Sequence, residues 1–327
     1  MRGIEDGLCG ETIKLSNKFS DLRFDSCKRG NNFCLMQAGA CRLINVLVFE
    51  GMKKFLIFLS ASIFAALFVG CSGTGADAVQ PKKARKIALH GYVYQDISLA
   101  ETLKKASDMK VDGVVLTKRQ FIGGKYPNAR VDEKMTPEQR AYVKKLFSDF
   151  GLEIAGFGVY SIPVSQIDSH LDFCADMGIG VFTEENPRSD QKLWNAAAAK
   201  RGIKIALHHH GKKTNEYWNP ETIAAVVSDY ENIGVCADNG HWARAGVDIC
   251  SAYKKIGNKL VMLHFKDVIM PEGKDTYLGG GALDVPRMLE TLDCLGFDGY
   301  FVLEYEGGDR KNLDSIMRKS VEFLRAH

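Results

Sequence analysis

The sequence predicts an α/β fold, a single (β/α)8 TIM barrel built from residues 86–327. Three observations carry that expectation. About 240 residues follow Lys86, close to the ~250 of an eight-fold β/α barrel. Eight short apolar segments alternate with helix-like segments along that length. Four of the apolar segments also end alike, in IALHHHG (205–211), IGVCADNGH (233–241), VMLHFKD (261–267) and FVLEYEG (301–307). Each is a core-like run closed by one histidine or acidic residue, as a buried strand looks when it stops at a chemical site.

The start of the chain is unlike the rest. Residues 1–51 hold four of the nine cysteines (Cys9, Cys27, Cys34, Cys41) and show no sustained helical or strand period. Met52-Lys53-Lys54 then opens an uncharged, mostly apolar run from Phe55 to Gly70 that ends at Cys71. A positive start and a short apolar run are signal-peptide architecture. The run is short for a spanning helix, which needs about 20 residues. FVGC (68–71) resembles a bacterial lipobox. Met52 is therefore the expected true start, residues 1–51 an extension wrongly joined to it or disordered, and 52–71 a lipoprotein signal peptide with Cys71 lipidated. The alternative is a real N-terminal segment followed by an uncleaved anchor. Residues 72–85 are small, polar and basic and read as a linker. This predicts a lipid-anchored protein of the cell envelope that faces the periplasm or the exterior. The lipid would be its only hold on the membrane.

Within the domain the expected strands are Ile87–His90, Gly113–Leu116, Glu153–Phe157, Gly180–Thr183, Ile203–His208, Ile233–Asp238, Leu260–His264 and Tyr300–Glu304. They are short and apolar, as parallel strands covered on both faces are. Thr136-Pro137-Glu138-Gln139 is a capping box with proline at the first helical position, and Asn219-Pro220-Glu221 is a similar start. Val285, Met288, Leu289, Leu292 and Leu295 have helical spacing, as do Leu313, Ile316, Met317, Val321 and Leu324. HGYVYQD after the first strand is not GxGxxG, which counts against a dinucleotide fold. Two long connections, Thr117–Lys134 and Val268–Asp284, leave the carboxyl ends of strands and are expected to be substrate lids. Cys174, Cys236, Cys250 and Cys294 lack CxxC spacing and read as buried small hydrophobes. The formal net charge of +3 and the lack of a basic run interleaved with aromatics after residue 130 give nothing that points to a nucleic-acid partner, and none is expected.

Side chains alternate inward and outward along a barrel strand. His208 and His210 therefore share one face and His209 the other. His264 pairs with Lys266 in the same way, and Glu304 with Glu306. If the last inward residue of each strand lines the mouth, His208, Asp238, His264 and Glu304 converge. Two imidazoles and two carboxylates suit one divalent Mn, Zn, Co or Fe ion and match Ca2+ poorly. Taken singly, each residue has a plainer reading as a core histidine, a helix cap or a turn residue. Four at equivalent ends of four consecutive strands favour a metal centre.

GVCADNGHWARAGVD, LHFKDV and FVLEYEG resemble the sugar phosphate isomerase/epimerase family, which has a xylose isomerase-like barrel. The resemblance runs from about Lys86 to the C-terminus. It implies a metal held by His208, Asp238, His264 and Glu304, with His241 contacting substrate and Lys266 as the lysine of the HxKD segment. His208 stands where relatives carry a first glutamate, so one of two metal-bound bases is missing. Glu184, in VFTEENP, could supply a second carboxylate; a solvated loop charge like its neighbour Glu185 is the alternative. His210 is another candidate acid.

The expected mechanism is proton abstraction by Glu304 next to the carbonyl of a sugar or keto-sugar, through an enediolate stabilised by the metal and Lys266. His210, His241, Trp242 and Arg244 would orient hydroxyls or stack on the ring. An isomerase/epimerase is the first expectation. A lyase or hydrolase cleaving a keto-glycoside is the second, and a non-catalytic sugar-binding lipoprotein the third. A metal-dependent endonuclease on the same fold is disfavoured by export and by near-neutral charge.

Overall fold

The structure, a computed structural model, describes residues 84–214 and 216–327. The signal peptide, Cys71 and nearly all of the linker lie outside the described residues. Eight parallel strands close into a barrel: β1 Lys86–His90, β2 Gly113–Leu116, β3 Glu153–Tyr160, β4 Val181–Glu184, β5 Lys204–His208, β6 Ile233–Asp238, β7 Leu260–Phe265 and β8 Tyr300–Leu303. Neighbours around the barrel are neighbours in sequence, and β8 closes on β1 with Lys86 opposite Tyr300. All eight expected strands are present, with ends moved by no more than three residues. The longest change is in β3. It runs on to Tyr160, and its register with β4 shifts between Phe157 and Tyr160.

Helices follow the strands: α1 Leu99–Asp108, α2 Pro137–Phe150, α3 Ile167–Met177, α4 Gln191–Ala199, α5 Pro220–Ser228, α6 Asn239–Arg244, α7 Ile249–Ile256, α8 Val285–Cys294 and α9 Leu313–Ala326. Thr136 caps α2 in the expected capping box, and Asn219 caps α5 through its side chain. Val285, Met288, Leu289 and Leu292 of α8 are buried, as are Leu313, Met317, Val321 and Leu324 of α9. Among the described residues no helix is long and apolar enough to cross a membrane. Cys174, Cys236 and Cys250 are buried free thiols, whereas Cys294 is exposed on α8 and does not pack as a core residue.

Two apolar layers result from the alternation. The larger lies between the barrel and its helices. The smaller fills the barrel interior with Ala88, Val115, Ala155, Ala206, Cys236, Met262 and Val302, and Val181 packs against it. That is one residue from each strand, mostly small, as the narrow interior of an eight-stranded barrel requires.

Neither long connection is a structureless lid. The first folds as an antiparallel hairpin, Phe121–Gly123 against Tyr126–Arg130, held at its base by buried Gln120 bonding to Tyr94 O and Thr102 Oγ1. The second begins as the hairpin Asp267–Ile269 against Lys274–Thr276. Its glycine run then wraps the buried Asp267 carboxylate, which accepts from the backbone N–H groups of Val268, Gly279, Gly281 and Leu283 at 2.8–3.1 Å. A Cβ at Gly281 would stand 2.2 Å from Asp267 Oδ1, so only glycine admits this approach.

Four amides on one buried carboxylate make Asp267 the anchor of that loop. Asp267→Ala is expected to cost about 3–5 kcal/mol, read by urea unfolding. Amide exchange should quicken first at Gly279, Gly281 and Leu283.

Candidate metal centre and active site

The interior layer is the floor of a site. Two residues beyond it, at the carboxyl end of every strand but β3, stand His90, Thr117, Thr183, His208, Asp238, His264 and Glu304, and two further on come Tyr92, Arg119, Glu185, His210, Lys266 and Glu306. On β3 that place falls to Phe157, which packs outward on Phe173 and Phe182. A cavity of about 210 Å3 opens there. It is lined by His90, Tyr92, Thr117, Arg119, Val159 and Glu185, and by His208, His210, His241, Glu304 and Glu306. Its size suits a small ligand, well under the ~300–1,000 Å3 of drug-sized pockets.

His208, Asp238, His264 and Glu304 each offer one donor atom, and these atoms lie within 4.8 Å of one another. All four side chains are buried or nearly so. The donor chemistry fits a divalent ion. His208 Nδ1 is 2.9 Å from Glu185 Oε1, while its buried Nε2 has no partner and stands 3.8 Å from Asp238 Oδ2. A carboxylate behind one ring nitrogen, with the other left for an ion, is the usual support of a histidine ligand. His264 has both nitrogens buried without an aligned hydrogen bond, although Nδ1 lies 2.9 Å from Glu304 Oε2. Unpartnered buried nitrogens are costly, and a bound ion would take up His208 Nε2 and one of the two His264 nitrogens.

Asp238 is positioned from three sides. Its Oδ1 caps α6 by accepting from His241 N at 2.8 Å. Its own N–H donates to His209 Nε2 at 3.0 Å. Its Oδ2 takes the Lys266 ammonium at 2.8 Å. Lys266 also reaches Glu304 Oε2 at 2.9 Å and Glu306 Oε2 at 3.4 Å. Burial opposes all these charges, yet the cation and the carboxylates hold one another ionised. Lys266 is raised well above its ordinary value by Asp238 and Glu304. Asp238 is held well below its own by Lys266 and His241, and Glu304 by His264 and Lys266. A Cβ at Gly240 would meet Lys266 Cδ at 2.6 Å, so glycine there makes room for the lysine stem. Asn239 exchanges two bonds with the Lys266 backbone and fixes α6 against the end of β7.

The expected parity holds. His208 and His210 face the site, and His209 faces out, stacked on Trp242 at 4.3 Å between ring centroids. His210 Nε2 lies 2.5 Å from Glu185 Oε1, and its Nδ1 3.1 Å from His241 Nε2. A hydrogen-bonded chain thus runs from His208 through Glu185 and His210 to His241.

Three expected site residues are elsewhere. The Glu184 carboxyl points outward, where it accepts from Gln191 Nε2 and Asn186 N; Glu185 takes the inward position. The reason is strand parity, since Val181, Thr183 and Glu185 share the inward face. Trp242 is fully buried outside the barrel, with its indole N–H donating to Trp218 O. Arg244 does not line the cavity. It donates to Gly273 O and to Asp275, and Asp275 in turn accepts from Glu306 N at 2.8 Å. Arg244 therefore braces the Asp267–Thr276 hairpin and Glu306. His90, Tyr92, Thr117, Arg119 and Glu185 join the site without having been expected there. Counting on from each interior side chain finds all five: two residues for His90 and Thr117, four for Tyr92, Arg119 and Glu185.

A closed β/α barrel with a His/Asp/His/Glu cluster in its mouth defines a class of protein, and the chain belongs to the xylose isomerase-like TIM barrel family, which it matches over residues 103–327. Among curated proteins it is 25% identical over 252 residues to the rhizopine catabolism protein MocC of Rhizobium meliloti, covering 61% of this chain and 73% of that one. It is 26% identical over 240 residues to the inosose dehydratase of Geobacillus thermodenitrificans, covering 57% and 76%. Among solved structures, an uncharacterised Parabacteroides distasonis protein superimposes with a TM-score of 0.62 at 23% identity, over 74% of this chain and 98% of that one. A D-allulose 3-epimerase from Methylomonas sp. superimposes with a TM-score of 0.59 at 16% identity, over 74% and 98%. These structural likenesses support the shared fold.

Glu184 and Glu185 are separable by experiment. Burial raises the Glu184 carboxyl from 4.5 to about 8. Between those values the folded chain keeps a proton that the unfolded chain has lost, so its stability falls as pH rises through that window. Glu184→Gln removes this dependence. The variant should match wild type near pH 4 and exceed it by on the order of 2 kcal/mol at pH 9, read by urea unfolding. Glu185→Gln should instead weaken divalent-metal binding by about 10–100-fold, read by calorimetric titration, because His208 loses the group that orients it.

Proposed function

We propose that the protein is a divalent-metal-dependent isomerase/epimerase that removes the proton next to the carbonyl of a sugar or keto-sugar. The observation that carries this reading is the convergence of His208, Asp238, His264 and Glu304 within 4.8 Å beside an open cavity. These four residues would hold the ion. When bound, the ion supplies Lewis-acid polarisation of a substrate oxygen. Glu304 is ionised and lines the cavity, so it is the base. The cations that keep it ionised also make it a weak base, which requires that the substrate C–H be strongly acidified. Lys266 supplies positive charge to the centre, and His210, His241, Tyr92 and Arg119 line the space for hydroxyls.

A second reading, elimination, is favoured by a specific observation. Asp238 is engaged by Lys266 and by the cap of α6, and His208 is tied to Glu185, so Glu304 is the carboxylate best placed to act as base. Returning a proton to the opposite face needs a second base. Losing a β-oxygen needs an acid instead, and the His210–Glu185 pair is suited to it. The inosose dehydratase relatives support this alternative. The lipidated Cys71 reading supports a substrate outside the cytoplasm and without phosphate, a free keto-sugar or keto-glycoside.

Wild-type protein should carry one equivalent of a transition metal by elemental analysis, and Asp238→Ala and His264→Ala should lose it. In D2O, deuterium uptake into recovered or epimerised sugar supports isomerisation, and release of water or an alcohol with an unsaturated ketone supports elimination. Metal-free protein after reconstitution with Mn2+ and Zn2+ would overturn both.

A further inference from the structure

His90 is the last residue of β1 and the next inward side chain after Ala88 of the interior layer. It is buried, and it lines the cavity. Its Nδ1 accepts a hydrogen bond from Tyr92 N at 3.1 Å and lies 3.9 Å from Glu304 Oε1. Its ring meets His264 edge-on at 5.1 Å. Its buried Nε2 has no partner.

The Tyr92 N–H decides what that nitrogen can do. An Nδ1 that accepts a backbone proton carries a lone pair, so in a neutral ring the proton sits on Nε2. An Nε2–H cannot ligate a metal, but it can donate. A ring that accepts through Nδ1 and carries its one proton on Nε2 is the neutral form, and the Tyr92 N–H holds it there. The groups it meets, Glu304 and His264, belong to the centre. An orphan nitrogen alone would mean little. His209 Nδ1 is also without a hydrogen bond, but His209 packs on Trp242 outside the barrel and does not line the cavity. His170, a structural histidine, bonds Gln166 O through Nδ1 and has Glu133 3.4 Å from Nε2.

We propose that His90 is a catalytic residue, a neutral donor whose Nε2–H binds the substrate oxygen on which negative charge develops as Glu304 removes the proton. This rests on the reading of the cavity as a site of proton abstraction next to a carbonyl. It also assigns the substrate class: a polyhydroxylated ketone or aldehyde that presents an oxygen acceptor to the β1 side of the centre. A donor aimed at developing charge lowers the barrier more than it tightens ground-state binding, so its loss falls on kcat.

The test pairs His90→Leu, which removes the donor, with His90→Gln, whose terminal amide restores one. Both should keep the wild-type metal content. His90→Leu should lose about 10²–10³-fold in kcat with KM changed little, and His90→Gln should recover part of that loss. Independently of turnover, 15N spectra of the Zn2+-loaded protein at about pH 7 should give His90 as a neutral Nε2–H ring. Saturating sorbitol, a polyol that cannot enolise, should shift that resonance. Loss of metal in His90→Leu, an Nδ1–H ring, unchanged kcat in His90→Leu, or no shift with sorbitol would each overturn the proposal. Failure of the wider functional reading looks different: no proton exchange from any keto-sugar, with the sorbitol shift intact.

Discussion

The structure depends on one geometric constraint, the two-residue period of a strand whose sheet has closed on itself. Closure leaves each strand only an inside and an outside. Once Ala88, Val115, Ala155, Val181, Ala206, Cys236, Met262 and Val302 form the interior layer, every second residue onward faces the mouth on all strands but β3, whose register is irregular. The site is the continuation of the core by two and by four residues. Small apolar side chains fill the interior where no water reaches, and charged ones begin where the strands end and the barrel opens.

That transition is electrostatically demanding. Asp238, Glu304 and Lys266 are all buried at the mouth, and an isolated buried charge costs several kcal/mol. They are tolerated because each answers another. Lys266 bridges the carboxylates of Asp238 and Glu304 and reaches Glu306. Supports outside the barrel hold this arrangement in place: Asn239 on the Lys266 backbone, His209 on the Asp238 amide, and Arg244 through Asp275 on Glu306. Two of the four residues expected to touch substrate, Trp242 and Arg244, act instead around these supports. Their polar and aromatic groups meet protein partners and not the cavity.

Much of this was legible in the chain. Eight apolar segments with helical periods between them specified the barrel, because parallel strands buried on both faces have no other appearance. The convergence of His208, Asp238, His264 and Glu304 was legible because each closes its strand's apolar run. Glu184 was not, because two adjacent glutamates after a strand look alike and only the inward register of Val181 and Thr183 separates them. His90 and Thr117 were overlooked for a related reason. Each closes an apolar run as the quartet does, but Tyr92 and Arg119, two positions on, lie in a 3-10 turn and a loop whose register local pattern does not give.

By itself, then, the sequence determined the strands, their order, the caps of α2 and α5 and the four residues that converge. All of these follow from local period and residue type. Only the tertiary structure decided which neighbours those residues have. Lys266 between three carboxylates, Glu185 behind His208, the amides of the glycine run on Asp267, and Tyr92 N on His90 all join atoms that local pattern does not relate. Such contacts depend on register between strands and on how loops return over the mouth, and closure of the barrel sets both at once.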